Sequence, residues 1–251
     1  MKTKKTSCPT MAVIDADIIA YRTAFRAEAD DPAFIPQMVE EHLENWLPVE
    51  AVEFTMALSC SRNDNYRRDF WPIYKATRDV QSSPEYLGEI KDYIRDVYTT
   101  EEIPRLEADD IMGMAASSGR AIAVTIDKDL KTVPGWHYNP DKDDDPIYIS
   151  EEDSWESFLI QWMTGDNTDN IPGLWRVGPK RAKSFLRKWE DDPVQAIMAL
   201  YEEEKFIPKK TCDLEGEELA LAMARCVRIL RDGDYDDVTG EIHLWEPKVG
   251  V

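Results

Sequence analysis

The stretch Met11-Ala-Val-Ile-Asp15 decides the fold, because it is a short apolar run that ends in an acid. A run of this length and character is typical of a strand buried on both faces of a parallel sheet. Ala121-Ile-Ala-Val-Thr-Ile126 has the same character and is followed by Asp127, and residues 54–59 indicate another strand. Apolar residues at helical spacing lie between these runs. The alternation predicts the α/β class, with a mostly parallel central sheet flanked by helices.

The chain changes character near residue 152. Beyond that point apolar residues recur at three- and four-residue spacing, which predicts a mostly helical region. One of its predicted helices carries an apolar face that ends at Trp189. We therefore predict an α/β core over residues 1–152 and a helical region over residues 153–251.

Composition excludes several classes of protein. Lys and Arg number 30 against 50 Asp and Glu, which gives a formal net charge of −20. A uniformly basic nucleic-acid-binding surface is therefore excluded, and any contact with DNA or RNA must use a local basic region. The four cysteines are scattered without a paired motif, which argues against zinc and against a disulfide framework. Since no apolar run approaches ~18 residues, we expect a cytoplasmic protein that does not enter the membrane.

Acidic side chains cluster where the predicted elements end. They are Asp15, Asp127 and Asp129 after strands, Glu107 and Asp110 in a first helical turn, and Asp166 and Asp169 in a turn. Because ligands of a parallel sheet bind beyond the carboxyl ends of its strands, we expect these acids to converge. Hard oxygen donors without His or Cys suit Mg²⁺ or Mn²⁺. Each cluster taken alone also has a simpler explanation, in helix-dipole complementarity or ordinary turn chemistry.

Two segments offer local positive charge. Residues 66–78 interleave aromatic and cationic side chains, a pattern that suits unpaired bases and phosphates, although a loop with aromatic anchors explains it equally well. The second segment, residues 170–185, has Gly173 and Gly178 around a tight turn before a helix. Glycine lets a backbone approach a ligand, and a helix N-terminus offers free N–H groups to phosphate. Basic residues that line this helix are Lys180, Lys183 and Arg187.

Together these motifs resemble a known family. The motifs are, in order, Tyr74-Lys-Ala-Thr-Arg78, Leu106-Glu-Ala-Asp-Asp-Ile111, Thr125-Ile-Asp-Lys-Asp-Leu130, Gly165-Asp-Asn-Thr-Asp-Asn-Ile-Pro-Gly173 and Val177-Gly-Pro-Lys180. This order is similar to that of the structure-specific 5′ nucleases, which include flap endonucleases and the 5′-nuclease domain of bacterial DNA polymerase I. The 5′→3′ exonucleases of short-tailed phages are the nearer likeness, from about Ala12 to Pro247.

The resemblance implies a PIN-like nuclease core, a helical arch at about residues 62–98 and a helix–two-turn–helix at about residues 164–189, often with bound K⁺. The expected cofactor is a pair of Mg²⁺ ions, which Mn²⁺ can replace. The implied ligands of this divalent metal are Asp15, Glu107, Asp109, Asp110, Asp127, Asp129, Asp166 and Asp169. Catalytic roles fall to Lys75 and Arg78 as arch cations, with Asp15, Asp109 and Asp127. The implied DNA contacts are Tyr74, Lys75, Arg78, Gly173, Val177, Gly178, Lys180, Arg181, Lys183 and Arg187.

The implied activity is 5′→3′ exonucleolytic or flap-endonucleolytic hydrolysis of DNA that leaves a 5′-phosphate and a 3′-hydroxyl. The expected partner is duplex DNA with a 5′ end, nick or flap, and an RNA–DNA hybrid is a second candidate. We expect a monomer in the cytoplasm of a phage-infected bacterium.

One position departs from the family pattern. The family usually has a further Asp at the end of the second strand, and Cys60 stands about there, so either the site works without that acid or Asp17 or Asp64 compensates. A catalytically weakened DNA-structure-binding protein is therefore one alternative. A PIN-like ribonuclease and a small-molecule phosphatase are others, but neither would need the glycine hairpin and basic helix.

Overall fold

The computed structural model describes residues 7–79, 82–189, 191–209 and 212–247. The strands are β1 Met11–Asp15, β2 Glu53–Ala57, β3 Thr100–Glu101, β4 Ile122–Val124, β5 Gly135–Tyr138 and β6 Ile147–Ile149. The helices are α1 Ala16–Ala29, α2 Ile35–Trp46, α3 Ala76–Asp79, α4 Leu87–Val97, α5 Ala108–Ser117, α6 Glu151–Thr164, α7 Pro179–Leu186, α8 Pro193–Tyr201 and α9 Gly216–Val227. Within these ranges no helix is both long and apolar enough to cross a membrane.

The six strands form one sheet in the order β3-β2-β1-β4-β5-β6. All neighbouring pairs are parallel except β5 and β6, which are antiparallel. The predicted mostly parallel α/β sheet is therefore confirmed. Strands β2 and β3 lie on one side of β1, and strands β4, β5 and β6 lie on its other side. The direction in which successive strands are placed therefore reverses between β1 and β4, whose carboxyl ends are adjacent. Open parallel sheets bind ligands at such a point.

Side chains of β1 alternate between two apolar layers. Ala12 and Ile14 pack with helices α1, α2 and α4 on one face of the sheet. Val13 packs with α5 on the other face, together with Ile229 from the chain beyond α9. Because both faces are covered, the strand is apolar along its length until Asp15, which explains the sequence pattern.

Helices α6 to α9 share a separate apolar core. Phe158, Trp162, Tyr201 and Met223 are among its fully buried members. Trp71, from the cationic and aromatic segment, is also buried in this core, so the segment joins the helical region to the sheet. The change of character near residue 152 thus corresponds to a change of core, with α6 beginning at Glu151.

The structure contains elements that the sequence patterns did not predict, and one predicted helix ends earlier than expected. Helix α1 begins directly after β1, and β3, β5 and β6 are short strands with little apolar periodicity. The predicted apolar helix face does not include Trp189, because α7 ends at Leu186 and the Trp189 side chain is half exposed. Within residues 62–98, helix α4 packs on the sheet through buried Ile90 and Ile94.

Candidate active site

A cleft of about 660 Å³ opens at the carboxyl ends of β1 and β4. Its acidic lining residues are Asp15, Asp17, Glu107, Asp109, Asp127, Asp129, Asp166 and Asp169, and its cationic ones are Arg22, Arg62, Lys75, Arg78, Lys91 and Lys128. The structure therefore brings together every acid predicted as a metal ligand except Asp110. It also places both predicted arch cations in the same cleft.

Asp15 and Asp127 are held by the turns that end their strands. Asp15 caps α1 by accepting from the Ile18 amide at 3.1 Å, and it accepts from the Thr125 hydroxyl at 2.8 Å. Asp127 accepts from the Asp129 amide at 2.8 Å, which caps a 3₁₀ turn. The carboxylates are therefore fixed in place by local backbone geometry.

One side of the cleft has more negative charge than it has counter-charge. Burial, with Asp17 and Asp127 nearby, raises the pKa of Asp15 to about 7. Burial and the charges of Asp127 and Asp15 raise the pKa of Asp109 well above its usual range. Burial, Asp127 and Asp166 raise the pKa of Asp129 to about 7. Crowded carboxylates of this kind are costly unless a cation compensates them.

The opposite side is neutralised by the protein itself. Glu107 accepts from the Tyr74 hydroxyl at 2.7 Å and contacts the Lys75 ammonium. Burial alone would raise the pKa of Glu107, but Lys75 and Arg67 outweigh it and hold this pKa at about 2. Burial would likewise lower the pKa of Lys75, yet Glu107 and Asp169 raise it. Both groups are therefore charged at neutral pH.

Asp169 links the two predicted arch cations. Arg78 Nη2 lies 2.5 Å from Asp169 Oδ1, and Lys75 Nζ lies 3.5 Å from Oδ2. The Lys75 amide also donates to the Asp169 carbonyl at 2.9 Å. Lys75 has φ of 53°, in the left-handed region that non-glycine residues rarely adopt. The cation is thus placed by a specific backbone turn rather than by a flexible loop.

Asp110 has a different role from the one expected of it. Its side chain is fully buried, and Arg67 donates to both its oxygens at 2.7 Å. Asp110 also accepts from the amides of Glu107 and Leu230, at 3.2 and 3.1 Å. With both oxygens used in this way, Asp110 is a structural residue in the first turn of α5 and does not line the cleft.

The aromatic residues of the 66–78 segment are anchors. Tyr66, Trp71 and Tyr74 are all buried, and the Tyr74 hydroxyl holds Glu107. The structure therefore places Tyr74, expected as a DNA contact, in support of a carboxylate. Base-stacking surfaces need exposed rings, which these three do not offer.

Cys60, which the resemblance places about where an acid is expected, lines the cleft. Burial, with Glu107 and Asp64 nearby, raises the pKa of its thiol to about 12, so the thiol is protonated at neutral pH. Asp64 is exposed and does not line the cleft. Asp17 does line it, accepts from the Ser59 amide at 3.1 Å and lies 2.5 Å from Lys91 Nζ. Of the two acids considered as compensating for Cys60, Asp17 is the one in place.

A tight turn joins α6 to α7 next to the cleft. Gly165 and Gly173 both have positive φ, of 65° and 58°. A Cβ on either would lie 2.4 Å from the backbone nitrogen of the other, so only glycine fits at these two positions. Asp166 and Ile171 close the turn with paired backbone hydrogen bonds of 2.8 Å. The same turn thus positions Asp166 in the cleft and leads the chain to the hairpin before α7.

The basic residues of α7 face solvent. Lys180, Arg181 and Lys183 are exposed, as is Arg187, which follows the end of α7, and Ala182 is buried beneath them. Arg181 donates to the Arg176 carbonyl, and Lys180, Lys183 and Arg187 make no ion pair with any residue in the described ranges. Val177 is buried, whereas Gly178 is exposed at the helix N-terminus. An uncompensated positive helix in so acidic a chain is suited to a polyanion.

The residues of the cleft fit divalent metal by donor chemistry. Its uncompensated side offers only carboxylate oxygens, the donors that Mg²⁺ and Mn²⁺ prefer. Burial and neighbouring carboxylates raise the pKa values of Asp15, Asp109 and Asp129, and a bound cation would favour their ionised forms. In the described part of the chain, however, no group of three or more His, Cys, Asp or Glu side chains is arranged so that it could hold a metal ion.

Some residues of the site gave no clear sequence signal. Arg67 was one cation among several in the 66–78 segment, and only its burial distinguishes it. Lys91 lies on α4, far from any acidic motif in sequence, yet it contacts Asp17. Thr125 and Asn170 stood inside recognisable motifs, which was the available signal, but their partners come from distant segments.

Comparison with known proteins finds relatives along nearly the whole chain. The chain is 25% identical to the exodeoxyribonuclease of Enterobacteria phage T3 over 284 aligned residues, covering 94% of this chain and 92% of the relative. It is 25% identical to the exonuclease of Escherichia phage T7, covering 94% and 93%. DNA polymerase I of Rhizobium leguminosarum is 29% identical, covering 68% of this chain and 18% of the polymerase. No protein-family model matches the sequence.

Solved structures with the same fold come from bacteriophage T5. A T5 protein co-crystallised with metal ions has a TM-score of 0.61 at 17% identity, covering 86% of this chain and 88% of that one. A T5 flap endonuclease in a pseudo-enzyme–product complex with DNA and metal ions has a TM-score of 0.59 at 17% identity, covering 86% and 88%. These comparisons confirm the predicted α/β fold, which the T5 structures share, and the similarity to phage exonucleases and DNA polymerase I that the motifs indicated.

Proposed function

We propose, on the premise that the chain is related to the structure-specific 5′ nucleases, that it is a metal-dependent 5′→3′ exonuclease and flap endonuclease acting on DNA. The observation that carries the proposal is the convergence of the motif carboxylates, Lys75 and Arg78 in one cleft beside an exposed basic helix. Relatives named exonuclease and exodeoxyribonuclease, similar over 94% of the chain, support it.

The proposed ligands of two Mg²⁺ ions, which Mn²⁺ would replace, are Asp15, Glu107, Asp109, Asp127, Asp129, Asp166 and Asp169, directly or through water. Metal bound there would lower the pKa of a water molecule and act as a Lewis acid toward the phosphate. Asp110 is left out of this set because it is fully buried against Arg67 and does not line the cleft. Asp17, which is paired with Lys91, is proposed as a supporting acid.

Lys75 and Arg78 carry the positive charge of the mechanism. Lys75 keeps its proton at neutral pH because Glu107 and Asp169 raise its pKa. A charge that is buried, fixed and adjacent to the reacting phosphate stabilises the negative charge that develops in the transition state. Ion pairs with Glu107 and Asp169 hold Lys75 and Arg78 beside the acids of the cleft.

The proposed substrate is duplex DNA with a 5′ end, nick or flap. The hairpin at 173–178 and the cations of α7 would grip duplex phosphates away from the cut, with K⁺ at the hairpin as the resemblance implies. The acidic remainder of the surface repels DNA, so it favours a single docking register. We propose further that the protein acts as a monomer and that it also cleaves RNA–DNA hybrids. Its proposed location is the cytoplasm of an infected bacterium.

The decisive experiment uses one duplex labelled at either its 5′ or its 3′ end. With Mg²⁺ we expect the 5′ label to be released first in short products, and with EDTA we expect no product. An RNA–DNA hybrid and a flapped duplex run in parallel rank the substrates. Loss of the 3′ label first, or equal cleavage in EDTA, contradicts the proposal.

One observation favours a second candidate, a DNA-structure-binding protein with weakened catalysis. Cys60 offers a protonated thiol where the family pattern has a carboxylate, so the metal site has one hard donor fewer. Tight binding of the flapped duplex without cleavage, in Mg²⁺ and in Mn²⁺ alike, would establish this candidate instead.

The Cys60→Asp variant tests the departure directly. An added carboxylate increases the charge that Mg²⁺ compensates, so we expect a larger rise of melting temperature on adding Mg²⁺ than in the wild type. The cleavage rate should stay within about threefold of wild type or increase. Cys60→Ser, which adds no charge, is the matched control. A large loss of cleavage in Cys60→Asp alone would show that the thiol has a packing role that an acid cannot fill.

Lys75→Ala and Lys183→Ala should separate catalysis from binding. Lys75 is useful chiefly in the transition state, so its loss should lower the single-turnover rate by about a hundredfold with little change in affinity. Lys183 is exposed on α7, and its loss should weaken binding and reduce the slope of log K against log salt by roughly 0.9. Rates and affinities measured on one labelled duplex decide between these roles, and the opposite pattern would reverse them.

Stability in EDTA should depend on pH through Asp129. The folded state holds this proton up to about pH 7, whereas the unfolded chain releases it near pH 3.8. The contribution of Asp129 is therefore present below pH 3.8 and lost as pH rises to about 7. Relative to Asp129→Asn, we expect the wild type to lose a few kcal/mol across that window, since each pKa unit corresponds to about 1.4 kcal/mol, and calorimetry measures this loss.

The comparison with Asp129→Asn isolates the cleft, because other titrating groups such as His137 contribute equally to both proteins. Mg²⁺ should raise the melting temperature of the wild type and remove its disadvantage, since metal favours the ionised carboxylate; at 100 times its Kd it adds roughly 2.7 kcal/mol. Parallel curves in EDTA, or no effect of Mg²⁺, would count against a metal site here.

A further inference from the structure

The turn before the hairpin is bound directly to the segment that carries the catalytic cations. Asn170 Oδ1 accepts from both the amide and the hydroxyl of Thr77, each at 3.1 Å. The Asn170 carbonyl accepts from Trp71 Nε1 at 2.9 Å, and Trp71 is fully buried. One residue therefore fixes the cation segment at two points, on either side of Lys75.

Asn170 suits this position for two reasons. Its φ of 59° lies in the left-handed region, which Asn adopts more readily than most residues. Glycine also adopts this backbone conformation readily, but only the Asn side chain supplies a hydrogen-bond acceptor. The amide of Asn170 is bound to the Asn167 carbonyl at 3.3 Å, so the turn itself is closed.

The same turn continues into the duplex-binding part of the chain. Gly173 packs against Gly165, and the Leu174 amide donates to the Met163 carbonyl at 2.8 Å. The hairpin and α7 follow without a flexible spacer. The turn at 165–173 is therefore a short, hydrogen-bonded connection between the basic helix and the residues beside Lys75 and Arg78.

We propose that Asn170 is a positioning residue that couples the seating of duplex DNA on α7 to the placement of Lys75 and Arg78 over the acidic cleft. The inference rests on the proposed function. DNA held by α7 would stabilise the turn, and the turn would hold the cation segment through Asn170. Productive geometry is sensitive to displacements of about 1 Å, so loss of this clamp should lower the rate of cleavage and leave the grip on DNA intact.

Asn170→Gly removes the acceptor and keeps the backbone conformation, so it is the variant of choice. We expect its single-turnover rate to fall about tenfold to a hundredfold while its affinity for the labelled duplex stays within about twofold of wild type. Asn170→Asp keeps an acceptor for Thr77 and should recover part of the rate. Asn167→Gly is the matched control, since its side chain is exposed on the same turn and makes no hydrogen bond within the described ranges.

Hydrogen exchange supplies a readout that does not need cleavage. The amides of Lys75 and Thr77 donate to Asp169 and Asn170, so their exchange reports the clamp. In EDTA, intact duplex should slow exchange in both 74–78 and 174–187 of the wild type and of Asn167→Gly. In Asn170→Gly it should slow exchange in 174–187 only.

The outcomes separate the two proposals. Protection of 74–78 by duplex in Asn170→Gly, or a rate equal to that of Asn167→Gly, would overturn the positioning role. Rate and affinity lost together in proportion to a lower melting temperature would also overturn it, as a purely structural effect. Absence of cleavage or of DNA binding in the wild type would instead refute the proposed function.

Discussion

Replacing Asp109 or Asp127 by asparagine is expected to lower the single-turnover cleavage rate by about a thousandfold or more. Each carboxylate is a proposed metal ligand on the side of the cleft that lacks counter-charge. A lost ligand weakens both the activation of water and the stabilisation of the leaving oxygen, and about 4 kcal/mol of lost transition-state stabilisation corresponds to such a factor. Affinity for duplex DNA should change by less than about threefold, since α7 supplies the grip.

Stability gives this prediction a second measurement. Asp109 has a raised pKa because it is buried beside other carboxylates, so Asp109→Asn should melt higher than wild type in EDTA. With Mg²⁺ its gain in melting temperature should be smaller than that of wild type. Asp64→Asn is the matched control, because Asp64 is exposed and outside the cleft. Normal cleavage by Asp109→Asn would remove that position from the metal site.

Arg67→Met should destabilise the protein by about 3–5 kcal/mol, the cost of leaving a buried charge unpaired. Arg67 is 2% exposed, and it donates to Asp110 through two bonds of 2.7 Å. It also donates to the carbonyls of Cys226 and Arg228, at 3.1 and 2.7 Å. Its loss would therefore strand Asp110 and two backbone acceptors in the interior, where the start of α5 meets the end of α9.

Denaturant unfolding measures this effect, with two variants as controls. Arg95→Met breaks a surface ion pair with Glu102 and should cost less than about 1 kcal/mol. The double variant Arg67→Met/Asp110→Asn should be more stable than Arg67→Met alone, because no unpaired charge is buried. Equal losses in Arg67→Met and Arg95→Met would mean that the Arg67 network contributes little to stability.

The sheet was largely readable from the sequence because its central strands are covered on both faces. Burial on both sides makes β1 and β4 continuous apolar runs, and their ends are marked by Asp15 and Asp127. The edge strands β3 and β6 were not readable, since a strand of two or three residues at a sheet edge needs no distinctive pattern. Parallel order then brings the acids at the strand ends to one place, which the motifs alone already suggested.

Charge pairing in the cleft could be decided only by the tertiary structure. The motif Leu106-Glu-Ala-Asp-Asp-Ile111 looks like a uniform acidic cluster, yet its three acids have three environments. Glu107 is neutralised by Lys75, Asp109 lies among carboxylates, and Asp110 is buried against Arg67. Helical spacing sets the direction of each side chain, but the partner comes from a distant segment that spacing cannot identify.

The sequence by itself determined the α/β core, the helical region that follows it, and the identity of the acids at the strand ends. These follow from local periodicity and from residue types, which neighbouring positions largely dictate. The tertiary structure alone decided which aromatic residues of the 66–78 segment are buried, which acid is structural, and that Asn170 binds Thr77 across 93 positions of sequence. Such contacts depend on how separate elements pack, and a pairing of distant side chains leaves no periodic trace in the chain.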